Sequence, residues 1–197
     1  MKVIGISGSP RRGGNTETLL REVLRGAEEA GAETRLFILS EMNISPCRHC
    51  YGCMAKGECV VKDDMGLIYP EVESLDALVL ASPIFFYGVT AQAKAMIDRC
   101  QAFWNRKYIL KRRIATEKRK GVFISVGGTK FPDLFDHAKA TVKNFFLTID
   151  VAYWAELLYP GIDKKGEIRG HPTALKDAYL LGRRLVKEEG GIDNARS

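Results

Sequence analysis

Histidine is scarce in this 197-residue chain: there are three, His49, His137 and His171, far apart in sequence. No Ser-His-Asp or Cys-His arrangement suggests itself, which turns attention from nucleophilic catalysis to cofactor chemistry. Long apolar runs are also missing. The longest region, "ALVLASPIFFYGV", is interrupted by Pro83 and falls short of the roughly 20 residues a membrane helix needs. The first residues, "MKVIGISGSPRRGGN", have one lysine and an apolar run broken by Gly5, Ser7, Gly8 and Pro10, unlike a signal peptide. There is no helix-turn-helix, RNA-binding or zinc-finger pattern, no internal repeat and no low-complexity stretch. The expectation is one compact domain over residues 1–197, soluble and cytoplasmic, without membrane or nucleic-acid partners; a hydrophobic content of 46% supports one substantial core.

The net charge of +6 is localised. Residues 106–120, "RKYILKRRIATEKRK", hold eight basic residues and one acidic, so the other residues together sum to −1. This segment reads as a solvated loop, with docking of an acidic electron-transfer partner or attraction of a phosphorylated dinucleotide as its functional alternatives.

Strands and helices alternate along the chain. "KVIGISGS", "ETRLFILS", "ALVLASP", "GVFISVGG" and "VAYWAELLY" read as strands. Helical periods are carried by "TETLLREVLRGAEEAG", ended by Gly31, by "TAQAKAMIDRCQAFW", by "FDHAKATVKNFFLTI" and by a last helix from Pro172 to Glu188. Residues between the second and third strands read as one long connection. This alternation predicts a parallel five-stranded sheet inside a three-layer doubly wound α/β fold, with ligands bound beyond the carboxyl ends of the strands.

The segment after the first strand, "SGSPRRGGNTET", has small residues for a tight turn, with Ser9, Arg11, Asn15 and Thr16 as donors near a helix N-terminus. It lacks both the three-glycine dinucleotide pattern and the lysine of a nucleotide-hydrolase phosphate loop, so a single phosphate, as in a mononucleotide, is the better match. An ordinary strand-to-helix turn with Asn15 or Thr16 as cap is the alternative. After the third strand, "SPIFFYGVT" places Pro83, Ile84, Phe85, Phe86, Tyr87 and Gly88 where a flat aromatic ligand could pack. After the fourth, "SVGGTK" offers Gly127 and Gly128 for close backbone approach. Together the three segments form three sides of one pocket.

"CRHCYGCMAKGEC" brings Cys47, Cys50, Cys53 and Cys59 into thirteen residues. In a reducing compartment such clustering suggests metal or redox chemistry. Four thiolates at these spacings suit an iron-sulfur cluster. Zinc patterns usually place about a dozen residues between two pairs, and only five separate Cys53 from Cys59. Free or disulfide-forming thiols are a third reading. His49 reads as a bystander, Cys100 as core, and His137 and His171 as surface or helix-cap residues.

"GSPRRGGNT", "SPIFFYGVTAQAKAMIDR" and "SVGGT" resemble the FMN-contacting segments of the flavodoxin-like NAD(P)H-dependent FMN reductase superfamily, over residues 1 to about 154. With the cysteine motif between strands two and three, the chain is most similar to that superfamily's iron-sulfur flavoprotein branch. The resemblance implies a flavodoxin-like sheet of order 2-1-3-4-5, with a cysteine-rich insertion at about 44–66. It implies that Ser9, Arg11, Asn15 and Thr16 hold the FMN phosphate, that Pro83 through Gly88 line the ribityl chain and isoalloxazine, and that Gly127, Gly128 and Thr129 approach the ring's polar edge. Cys47, Cys50, Cys53 and Cys59 would bind a 4Fe4S cluster that passes electrons to FMN across a subunit interface of a homodimer or homotetramer. The implied function is an oxidoreductase relaying electrons from a ferredoxin-like donor or NAD(P)H to a small acceptor such as a quinone, oxygen or peroxide. Two alternatives stand beside it: a cluster-free NAD(P)H-dependent FMN or quinone reductase, and a non-enzymatic electron carrier or thiol-based sensor.

Overall fold

The structure, a computed structural model, describes residues 1–187; Glu188, the expected last residue of the final helix, lies outside the described residues. Strands β1 (Lys2–Ser7), β2 (Glu33–Ile38), β3 (Ala77–Ala81), β4 (Lys120–Gly127) and β5 (Ala152–Pro160) form one parallel sheet in the order β2-β1-β3-β4-β5. The three central strands are buried on both faces, which explains their near-continuous apolar sequences. Helices α1 (Asn15–Glu29) and α6 (Ala174–Lys187) cover one face, and α2 (Met65–Ser74), α3 (Ala91–Arg99), α4 (Gln101–Trp104) and α5 (Asp136–Thr148) lie towards the other. Among the described residues, no helix is long and apolar enough to cross a membrane.

Helix α1 shows how burial outweighs local propensity. Its N-cap is Gly14, with no side-chain capping bond, which forgoes a few tenths of a kcal/mol relative to a Ser or Asp cap. Leu19, Leu20, Val23 and Leu24 on its apolar stripe are all buried, at roughly 1.5–3 kcal/mol each. Burial wins, and the first-turn amides are left without a side-chain acceptor. The helix ends as expected, with Gly31 N–H donating to Glu28 O and Ala32 N–H to Ala27 O.

Three stretches depart from the sequence reading. The connection after β2 contains α2, whose Pro70 and Gly66 argue against a helix; it forms because Met65, Ile68 and Val72 are fully buried against the sheet. The helix expected over 90–104 breaks at Cys100, and a π-helical turn continues it over Asn105–Ile109, into the basic segment. That segment is also less solvated than expected. Arg119 is buried and donates to the Leu75, Ile149 and Val72 carbonyls, closing the ends of α2 and α5. Lys107 and Arg113 pair with Asp150, and Arg106 with Glu73.

Helices α1 and α6 meet through glycines: a methyl group on Gly182 would overlap the Val23 carbonyl, and one on Gly26 the Tyr179 carbonyl. Overpacking against backbone has no cheap relief. Gly182→Ala should therefore destabilise the protein by about 1–3 kcal/mol in urea unfolding; an unchanged midpoint and slope would contradict this packing.

Candidate functional site

At the carboxyl edge of the sheet, β1 and β3 diverge into loops that run to opposite faces. A chain of buried hydroxyls holds their ends. Gly8 N–H donates to Ala81 O at 2.7 Å, Thr90 Oγ1 donates to Gly8 O at 2.6 Å, Thr90 N–H donates to Ser82 Oγ at 3.1 Å, and Ser125 Oγ donates to Ser82 O at 2.7 Å. Above them lies a cleft lined by Ser9, Arg11, Asn15, Thr16, Pro83, Ile84, Phe85, Gly127 and Gly128. Three predicted segments thus converge. Its enclosed space is only about 60 Å³, enough for a small group at the loop end and not for a whole nucleotide.

The loop end suits a phosphate. Thr18 N–H makes the first helical bond, to Gly14 O, so the amides of residues 15–17 have no intrahelical acceptor. Thr16, 1% exposed, has a buried hydroxyl with no hydrogen-bond partner. Positive charge comes from the helix N-terminus, Arg11 and Lys165. Glu17, in the same turn, would repel an anion if unpaired. Burial raises its pKa, but the Gly13 amide, Arg21 and Arg12 outweigh that and hold the carboxyl below its usual range, so its charge is already spent within the protein.

A fourth wall was not legible. The loop after β5 supplies Ile162, Asp163 and Lys165, held by Ile162 N–H to Gly127 O and by Arg11 Nη1 to Asp163 O. Asn15 does this too: its Nδ2 donates to Lys164 O at 2.9 Å and its Oδ1 accepts from Ile168 N–H at 3.3 Å. Its side chain, expected on a phosphate, thus also holds that wall, with one amide N–H and its oxygen engaged and a second N–H remaining. The glycines and paired lysines of "GIDKKGEIRG" were the available signal.

Phe86, Tyr87, Gly88 and Thr129 lie outside the cleft lining. Phe85 and Gly88 exchange backbone hydrogen bonds at 3.0 Å around Phe86 and Tyr87, whose φ values of 47° and 63° give the turn the φ signature of type I′. Left-handed backbone at two aromatic residues carries strain, a feature that clusters at ligand sites. Phe86 is fully exposed and Tyr87 packs edge-on against His137. His171 has the cap role expected of it, accepting the Thr173 and Ala174 amides at Nδ1.

The four clustered cysteines line a second cavity, of about 300 Å³, closed by Arg99, Trp104, Asn105 and Ile109. None of the four is in a disulfide; Cys47 and Cys50 are exposed, Cys53 and Cys59 partly buried. His49 and Tyr51 flank Cys50 with φ of 52° and 58°, and their rings lie 4.5 Å apart. Among the described residues, no group of three or more His, Cys, Asp or Glu is gathered to hold a metal ion. The thiols surround a volume instead of meeting at a point. Asn105 Nδ2 donates to Cys53 Sγ at 2.9 Å from the π-helical turn, a distortion often found at functional sites. Burial raises the Cys53 pKa. Burial acts the same way on Cys59, but the Val61 amide, Arg99 and Tyr69 more than reverse it, lowering that thiol. Sequence reading missed Arg99 because it sits in a helical pattern that reveals no partner, and Asn105 because it lies just past that pattern. Cys100 is core, as expected, and burial pushes its thiol up to about 12.

Known proteins resemble this chain. The family model for NADPH-dependent FMN reductase matches residues 1–145. An iron-sulfur flavoprotein of Archaeoglobus fulgidus is 41% identical over 128 residues, covering 65% of this chain and 63% of that protein. One from Methanocaldococcus jannaschii is 36% identical over 148 residues, covering 75% and 71%. Several of these matches span between about half and two thirds of the relative's length. Among solved structures, an NAD(P)H:quinone oxidoreductase from Methanothermobacter marburgensis superposes with a TM-score of 0.71 at 18% identity, over 96% of this chain and 99% of that one. A flavodoxin from the domain Archaea gives 0.55 at 14% identity, over 94% and 96%, so the fold is flavodoxin-like. With the phosphate-type loop, the switch-point cleft and the four-cysteine insertion all in one chain, the protein belongs to the NADPH-dependent FMN reductase family, in its iron-sulfur flavoprotein branch.

Proposed function

We propose that the protein is an FMN-dependent oxidoreductase serving a small acceptor such as a quinone, oxygen or peroxide, with Cys47, Cys50, Cys53 and Cys59 as holders of a 4Fe4S cluster. The observation that carries the flavin part is the unpartnered Thr16 hydroxyl, buried beside the open first turn of α1 in a switch-point cleft. When bound, FMN would supply two-electron and one-electron exchange, and a cluster one-electron exchange. The chain's own residues set the geometry. Thr16, the first-turn amides, Arg11 and Lys165 would neutralise the phosphate, Asn15 would keep the fourth wall in place, and the Phe85–Gly88 turn would support the ring. Gly127 and Gly128 leave room at its edge.

Four thiols around one cavity support the cluster, because cubane corners are spread where zinc's four ligands converge at about 2.3 Å. The named relatives point the same way. Exposed apolar residues beside both sites, including Tyr51, Val60, Ile109, Phe86 and Phe131, support a homodimer or homotetramer that covers them. The donor in this reading is ferredoxin-like or NAD(P)H. The second reading is a cluster-free NAD(P)H-dependent FMN or quinone reductase, in line with the NADPH-dependent FMN reductase family model that the chain matches.

Iron analysis of anaerobically purified protein separates the two: about four irons per chain supports the cluster, and flavin without iron the second reading. In the cluster-bearing case Cys50→Ser should lose its iron while FMN stays bound; unchanged iron would sink the ligand assignment. Thr16→Val and Arg11→Ala should each weaken FMN binding about tenfold or more, since hydrogen bonds to charged groups contribute roughly 1.5–3 kcal/mol. Fluorescence titration reads this directly, and wild-type affinity in both variants would refute the phosphate site. Turnover of NAD(P)H with a quinone distinguishes an enzyme from a carrier.

A further inference from the structure

Helix α3 is shared by the two sites. At its N-terminus Thr90 caps the helix, accepting from Ala93 N–H, and donates to Gly8 O beside the flavin cleft. Nine residues later, roughly 14 Å along the axis, it ends at Arg99 on the wall of the cysteine cavity.

Arg99 is 1% exposed. Its Nη1 lies 2.5 Å from Asp63 Oδ2 and donates to Ser45 O at 2.9 Å; its Nη2 donates to Asp63 Oδ1 at 3.1 Å and to Val61 O at 3.2 Å. Asp63 in turn accepts the Ser45 and Met65 amides. Ser45 precedes the first clustered cysteine and Val61 and Asp63 follow the last, so one guanidinium clamps both limbs of the loop at its base. Its Nε is buried with no hydrogen-bond partner. Arg99 lines the cysteine cavity and Asp63 does not.

Stability alone does not account for this pair. Desolvating two charges offsets most of their attraction, and apolar side chains of similar volume often stabilise a core as well or better. What an apolar residue lacks is a fixed positive charge at the cavity wall and a donor still unspent. We propose that Arg99 is a positioning residue for the cysteine-held group: it fixes the Cys59 limb against α3 and raises that group's affinity for an electron, with Asp63 behind it moderating the charge. Positive charge and hydrogen bonds near cluster sulfurs favour the reduced, more negative state. The inference rests on the cluster reading above.

The test is a mediated anaerobic redox titration of the cluster in the holoprotein, with iron and FMN content measured in parallel. Arg99→Met should lower the cluster midpoint, and Arg99→Lys, which keeps charge without the fork, should lie between it and wild type. Asp63→Asn should shift it the opposite way, upward, by unmasking Arg99. FMN content should match wild type in all three, which reports folding. Loss of iron from Arg99→Met with FMN retained also supports the positioning role, the potential then being read in Arg99→Lys and Asp63→Asn. Unchanged midpoints at unchanged iron overturn the proposal, as do shifts of the same sign in the Arg99 variants and Asp63→Asn, which mark simple loop distortion. Iron-free wild-type protein overturns the cluster reading itself, and this inference with it, at a separate step.

Discussion

The ends of three parallel strands are tied by buried side chains as well as by the last backbone bonds of the sheet. Beyond Ala81 the β3 chain parts from β1, while its Ser82 and Ile84 amides still donate to Ile124 O and Val126 O beside it, and the Gly8 and Ser82 carbonyls must find side-chain donors or incur a burial cost of about 1–3 kcal/mol each. Thr90 and Ser125 supply those donors and the Ser82 hydroxyl accepts the Thr90 amide, all three fully buried, linking Gly8 on the β1 side to β3 and β4. The phosphate-type loop, the aromatic turn and the glycine turn hang from this one chain of hydroxyls.

The two candidate sites handle polarity in opposite ways. At the cleft, donors are left unspent: the first-turn amides of α1 and the Thr16 hydroxyl await an acceptor, while the one nearby carboxylate, Glu17, is already occupied. At the cysteine cavity two wall residues are committed to the loop, with Arg99 spread over Asp63, Ser45 and Val61 and Asn105 turned onto Cys53. The first arrangement is suited to capturing an anion, and the second to holding a loop without regular structure in one shape. Helix α3 makes them one unit, since the same rigid segment is pinned to Gly8 at one end and to the loop at the other.

Most of the fold was legible because its signals are local. Apolar runs bounded by glycine and proline marked the five strands, and the 3.6-residue period marked α1, α5 and α6. Helix α2 was not legible, because Pro70 is a sound local argument against a helix and the burial of Met65, Ile68 and Val72 that overrides it is tertiary. The basic segment misled for a related reason. A run of charges looks solvated, yet Arg119 is buried because the carbonyl ends of α2 and α5 converge on it. Asn15 was placed correctly on the loop, but which of its neighbours its amide would meet depends on a loop about 150 residues away in sequence.

By itself, then, the sequence determined the class of sheet, the positions of the loops at its carboxyl edge, and the chemistry those loops carry: small residues and donors after β1, aromatics after β3, and four thiols after β2. Those are properties of residue type and short spacing. Only the tertiary structure decided which donors remain free and which are consumed, that the loop after β5 closes the cleft, and that Arg99 and Asn105 face the thiols. The physical reason is that a hydrogen bond or ion pair between distant residues leaves no periodic trace in either segment, since each partner is compatible with its own helix or loop whether or not the other arrives.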